Sequence, residues 1–196
     1  MRSVHRPANR GQGIAESRSA WPIFELPSVK KHDYAEVRQM VRRLRRELFV
    51  NCWCMADGES EGMWRLYGGG QDAVAIQSTY SRLTKAVAGP GLYVGTVRYI
   101  DFEVNEVSFR WTFLPALHKR KAFEHERELR AVYNRIFSNE PPLGEYESVN
   151  LEELLANIYI APGSPRWFGE TVEKVVDRYS LNVPVRRSQL EASPFE

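Results

Sequence analysis

The chain has 196 residues, 43% hydrophobic and 12% aromatic, enough for a buried core and unlike a wholly disordered polypeptide. Its 27 Lys and Arg nearly balance 25 Asp and Glu, and a formal charge of +2 does not by itself imply nucleic-acid binding. No apolar run reaches the length of a membrane span and residues 1–20 lack the apolar core of a signal peptide, so a cytoplasmic location and no membrane partner are the default expectation.

Residues 1–50 carry 11 basic against 5 acidic side chains, so the near balance conceals a basic N-terminal quarter. Residues 1–30, rich in Arg, Ser and Gly at their start, are expected to form a flexible basic segment. Asp33 can cap a helix with Glu36 three positions on, and Tyr34, Val37, Val41, Leu44 and Leu48 recur at helical spacing. Its other face holds Arg38, Arg42, Arg43, Arg45 and Arg46, either a solvated surface or a patch for an acidic partner.

Leu48 to Trp53 reads as a buried strand. Cys52 and Cys54 sit two positions apart, poorly placed to bridge each other and without nearby residues to complete a zinc site. They are expected to be reduced, packed thiols, and no metal site is predicted. Glu59 to Tyr67 predicts a short helix stopped by Gly68-Gly69-Gly70, which lacks the lysine and hydroxyl of a phosphate loop. Ala73 to Gln77 predicts a strand, and Ser78-Thr79-Tyr80 opens a helix to about Val87, with Ser78 as its plain capping residue.

Leu92 to Ile100 is expected as a third strand, and the alternation of Val107, Phe109, Trp111 and Phe113 predicts another. Asn150 should cap a helix over 151–157. Ile158 to Ile160 should be a strand, and Trp167 to Tyr179 an amphipathic helix on Val172, Val175, Val176 and Tyr179. Val183-Pro184-Val185 fits an edge strand, where proline is tolerated. Trp53, Trp64, Trp111 and Trp167 are assigned to the core. The expected fold is α+β: a single mixed α/β domain over residues 31–190, its small and mainly antiparallel sheet flanked by helices, with residues 191–196 as a tail.

The densest chemistry lies between His118 and Arg130, where five basic residues, three glutamates and two histidines precede an apolar strand. If Glu126 to Val132 is extended, Glu126, Glu128 and Arg130 share one face while Arg127, Leu129 and Ala131 share the other. Glu126 and Glu128 are then a paired-carboxylate candidate, with a self-neutralising charge ladder as the alternative.

Asn51-Cys52-Trp53, Glu59-Ser60, Met63-Trp64, Leu66-Tyr67, residues 74–79 and residues 119–130 together resemble a bacterial and phage domain-of-unknown-function family, numbered twenty-nine seventy-one, from about Phe49 to Leu190. A strand ending in Ser78-Thr79, followed some fifty residues later by Glu126-x-Glu128, also resembles the ADP-ribosyltransferase arrangement. That resemblance implies an ADP-ribosyltransferase-like fold and NAD as cofactor. Ser78, Thr79, Tyr80 and Trp64 would line the NAD pocket, Glu128 would be the catalytic carboxylate, and Glu126 would engage a protein or nucleic-acid acceptor. Lys119, Arg120, His125 and Arg130 would contact substrate or phosphate. Residues 1–30 show neither the opening strand and turn of the first family nor the early Arg or His of the second, so the resemblance implies either a misassigned start or an N-terminally shortened member.

Two other classes fit the residues. Asp101, Glu124, Glu126 and Lys119 suggest a metal-dependent nucleic-acid enzyme, with His118 and His125 as acid and base. The basic helix suggests a non-catalytic nucleic-acid or protein binding module, with phage conflict as its setting.

Overall fold

The computed structural model describes residues 2–5, 39, 42, 44, 46–69, 72–105, 113–134 and 143–192. Most of the expected strand over 107–113 and most of the basic helix fall outside these residues; Phe113, the last of that strand, is instead a turn residue leading into Leu114–Leu117. In chain order the elements are β1 (Arg2–His5), β2 (Leu48–Met55), α1 (Glu61–Tyr67), β3 (Val74–Thr79), α2 (Tyr80–Ala86), β4 (Leu92–Thr96) and β5 (Arg98–Ile100). There follow β6 (His118–Arg120), β7 (Glu128–Asn134), α3 (Leu151–Leu154), β8 (Asn157–Ile160), α4 (Arg166–Arg178) and β9 (Val185–Arg187), with 3-10 turns at Leu114–Leu117, Lys121–Glu126 and Gln189–Glu191. The class is α+β, as expected. No helix among the described residues is long and apolar enough to cross a membrane.

The chain divides into two compact units, one of residues 1–10, 53–87 and 148–196, the other of residues 11–52 and 88–147. In the first, β1 pairs in parallel with both β2 and β3, β3 pairs antiparallel with β8, and β8 pairs in parallel with β9 at the edge. Residues 2–5, expected to be flexible, are therefore a strand; four residues are too few for composition to reveal one. Trp64, Ala75 and Ala161 form a buried cluster, and Trp64 Nε1 donates to Glu59 Oε2 at 3.1 Å. Gly69, not Gly68, takes the left-handed conformation that ends α1, at φ +65°.

Two side chains tie α2 and β3 to α3. Ser78, fully buried, donates to Leu154 O at 2.5 Å. Arg82 Nη1 donates to Glu152 O and Glu153 O at 3.0 Å and to Leu155 O at 2.8 Å, satisfying carbonyls that a helix end leaves open. Asn150 caps α3 as expected, accepting from Glu152 N and Glu153 N, but the helix stops at Leu154. In α4, Val176 is buried as predicted. Trp167, assigned to the core, is 58% exposed, and Val175 and Tyr179 are exposed too. The Trp167-Thr171-Val175-Tyr179 row is thus a second stripe, displaced from the Gly169-Val176 face that packs inward.

In the second unit, Gln39, Arg42, Leu44, Arg46 and Glu47 are helical, Leu44 buried and Arg42 and Arg46 exposed, in keeping with the predicted faces. Leu48, placed on that helix by periodicity, begins β2 instead. β4 pairs antiparallel with β7, and β5 pairs in parallel with β6 as a separate ribbon. The single strand expected over 92–100 is broken at Val97, whose N–H donates to Glu128 O at 2.9 Å as the chain passes from one sheet to the other. Phe113, Leu117 and Val132 make this unit's core, with Tyr93 stacked on Phe113 at 4.2 Å. Gly95 leaves room there for Leu117, whose Cδ1 would have to shift from a Cβ built 2.6 Å away. Cys54 is buried, whereas Cys52, expected to be packed, is exposed.

Candidate functional site

The acidic pair is assembled by a route that strand periodicity alone does not give. Glu126 is not on a strand: it closes the 3-10 turn Lys121–Glu126. Arg127 then adopts φ 44°, a left-handed conformation uncommon for a residue with a side chain, and β7 starts at Glu128. The turn nonetheless brings both carboxylates inward, each 6% exposed, while Arg127 stays outside.

Buried carboxylates need partners, and here the cations come from two elements. Lys119 on β6 donates to Glu126 Oε2 and, at 2.7 Å, to Glu128 Oε1. Arg130, two residues along β7, donates from Nε to Glu128 Oε2 at 2.5 Å and from Nη1 to Ala116 O at 2.5 Å. Tyr99 on β5 accepts the Glu128 N–H at 2.7 Å on its hydroxyl oxygen. Lys119 Nζ also lies 4.6 Å from the Phe123 ring centre, within cation–π range.

Burial pushes the Glu128 carboxyl up. Hydrogen bonding with Glu126, Arg130 and Lys119 outweighs that, together with the Arg130 charge, and holds it at about 2. Glu128 is therefore a fixed anion at neutral pH and cannot donate a proton. Burial works against the charged forms of Lys119 and Arg130, but bonding to the glutamates raises both above their ordinary values. The same site pushes the Tyr99 phenol up, chiefly by burial, so that it stays protonated; the Cys52 thiol, on a residue exposed overall, is also pushed up, by local desolvation and then by the Glu128 charge.

Of the residues singled out beforehand, Glu126, Glu128, Lys119 and Arg130 meet in this cluster. Arg120 and His125 are exposed and make no contact with it that involves a hydrogen bond or ion pair among the described residues. Ser78, Thr79, Tyr80 and Trp64 belong to the other unit. There Ser78 is a strand residue whose hydroxyl is engaged by Leu154 O, and the helix cap is Thr79, which accepts from Arg82 N at 3.2 Å. Asp101 is turned onto the Glu103 N–H at 2.9 Å, and Glu124 is exposed. Among the described residues no group of three or more His, Cys, Asp or Glu side chains could hold a metal ion. Tyr99 was missed. Its only sequence signal is an aromatic with a polar tip in a strand, and its partner lies 29 residues away. No protein-family model, curated protein or solved structure matches the chain significantly.

Proposed function

We propose that the chain is an ADP-ribosyltransferase-like enzyme that acts on NAD, with Glu128 as its catalytic carboxylate and Glu126 beside it facing the acceptor. The observation that carries this reading is a buried carboxylate held ionised at about 2 by flanking cations. Breaking the bond between nicotinamide and ribose builds positive charge on the sugar, and a preorganised anion in a site of low polarity stabilises that charge. An anion that cannot take up a proton at neutral pH suits this electrostatic role better than general acid catalysis.

Lys119 is the most exposed of the four charged members of the cluster, its side chain 23% accessible against 14% for Arg130, 8% for Glu126 and 7% for Glu128. Ligand access to Glu128 Oε1 therefore requires Lys119 to swing aside, which makes Lys119 the residue that meets substrate first. The test is NAD binding by titration calorimetry, followed by NAD-dependent labelling of protein and nucleic-acid acceptors by the full chain and by Glu128→Gln. Labelling should fall by a factor on the order of a hundred or more in the variant, because a neutral amide cannot replace the anion. Absence of NAD binding to the wild-type chain would sink the proposal.

A second reading, a non-catalytic binding module, is favoured by one feature: both oxygens of Glu128 are already engaged by cations of the same unit. On that reading the cluster is a clasp that holds the ribbon β5–β6 to β7. Salt-dependent retention on a polyanion, with no turnover of NAD, would support it.

A further inference from the structure

The β5–β6 ribbon has two faces, and the carboxylate cluster uses only one. Its parallel register sets Arg98 beside His118, Tyr99 beside Lys119 and Ile100 beside Arg120. Tyr99 and Lys119 both reach Glu128, which identifies the carboxylate face. Side chains alternate along a strand, so Arg98, His118 and Arg120 are directed to the opposite face.

The cations there differ from Lys119 and Arg130. Arg98 and Arg120 are exposed, and among the described residues neither makes an ion pair or a side-chain hydrogen bond. The nearest acid in sequence, Asp101, has its carboxylate turned onto the Glu103 N–H. Opposite Arg98 and two residues before Arg120 on β6, His118 is half-buried with Nδ1 2.7 Å from Leu114 O. A carbonyl only accepts, so Nδ1 carries the proton and Nε2 is left as the ring's open position. Burial and the Arg98 charge outweigh that bond and push His118 below its ordinary 6.5, so the ring is neutral at pH 7.

We propose that Arg98, His118 and Arg120 form a phosphate-binding face. Guanidinium groups match phosphate oxygens in geometry and charge. An anion between them would also stabilise the protonated ring, so His118 would take up a proton and donate from Nε2 to a phosphate oxygen. The ligand is a phosphate ester, carried either by a free nucleotide or by a polynucleotide backbone. The inference does not rest on the NAD reading, because it uses the other face of the ribbon and none of the residues of the carboxylate cluster.

The experiment follows the imidazole carbon-bound proton of His118 by NMR in the full chain at pH 7 and constant ionic strength, the resonance being assigned with His118→Gln. Inorganic phosphate, ADP and a short single-stranded oligonucleotide are added in turn. Phosphate should give a saturable shift toward the protonated ring position. Arg98→Gln and Arg120→Gln, both at exposed sites and with the native fold checked by circular dichroism, should each weaken binding by roughly tenfold, as loss of one charge-assisted contact implies. Tighter binding of ADP identifies the source as a nucleotide and tighter binding of the oligonucleotide identifies a polynucleotide, either one supporting the site. The proposal is overturned if the shift does not saturate, if chloride at equal ionic strength reproduces it, or if both glutamine variants keep the wild-type affinity.

Discussion

Replacing Lys119 with methionine keeps most of the side-chain volume and removes the one cation that both buried glutamates share. Glu126 and Glu128 side chains are only 8% and 7% exposed, so water cannot take the place of the ammonium. Removing one partner of a buried ion pair costs about 3–5 kcal/mol, and because Arg130 still holds Glu128, the lower end, about 3 kcal/mol, is expected at pH 8. The wild-type chain provides a check on this scale. The depression of Glu128 from 4.5 to about 2 is worth at most roughly 3 kcal/mol. Because its folded pKa is depressed, that contribution is present above pH 4.5 and is lost as pH falls toward 2. In Lys119→Met the pair must instead bind a proton to remain folded, so the deficit should shrink toward pH 4.5, to less than about 1 kcal/mol. Urea unfolding at both pH values, read by circular dichroism and by tryptophan fluorescence, measures the difference. A deficit below about 1 kcal/mol at pH 8, or one equal at the two pH values, would refute the view that Lys119 neutralises the glutamates.

Other substitutions probe the remaining contacts. Arg82→Ala removes the donor shared by three carbonyls at the end of α3 and should cost about 1–3 kcal/mol in urea unfolding. Arg82→Lys should recover only part of this, because an ammonium on a flexible stem lacks the rigid planar fork. Arg127→Gly should stabilise the chain by about 1 kcal/mol, since the residue is exposed and left-handed at φ 44°, and Arg127→Val should destabilise it. Equal stability of the glycine and valine variants would contradict a backbone origin.

The elements that the sequence reveals well are those fixed by short-range rules. Asn150 caps its helix, glycines end α1, and Val74 to Thr79 forms a strand because each signal lies within a few residues of its effect. Residues 92–100 show the opposite. Their pattern carries no turn signal at Val97, and the break there is set by a partner 31 positions on, which local periodicity cannot report. The carboxylate pair was legible in its outcome but not in its cause. Alternation predicts that Glu126, Glu128 and Arg130 face one way, and they do meet, yet through a 3-10 turn and a left-handed residue. Lys119 was expected as a substrate contact, and its bond to both glutamates depends on the pairing of β5 with β6, as does the role of Tyr99. Trp167 was misplaced because hydrophobicity marks a helix row as apolar without saying which of two rows is covered.

A parallel ribbon of two three-residue strands is too small to hold together by its own ladder. In β5–β6 each strand lends one side chain to Glu128, Tyr99 to its backbone N–H and Lys119 to its carboxylate, so the ribbon is riveted to β7 through a single residue. Its amides should therefore exchange with solvent as one cooperative group, opening at a lower free energy than the five-residue β4–β7 ladder. Acid that protonates Glu128 should release this group first, leaving the ladder protected. Local opening of the site, rather than global unfolding, would then set how readily either face of the ribbon is rearranged.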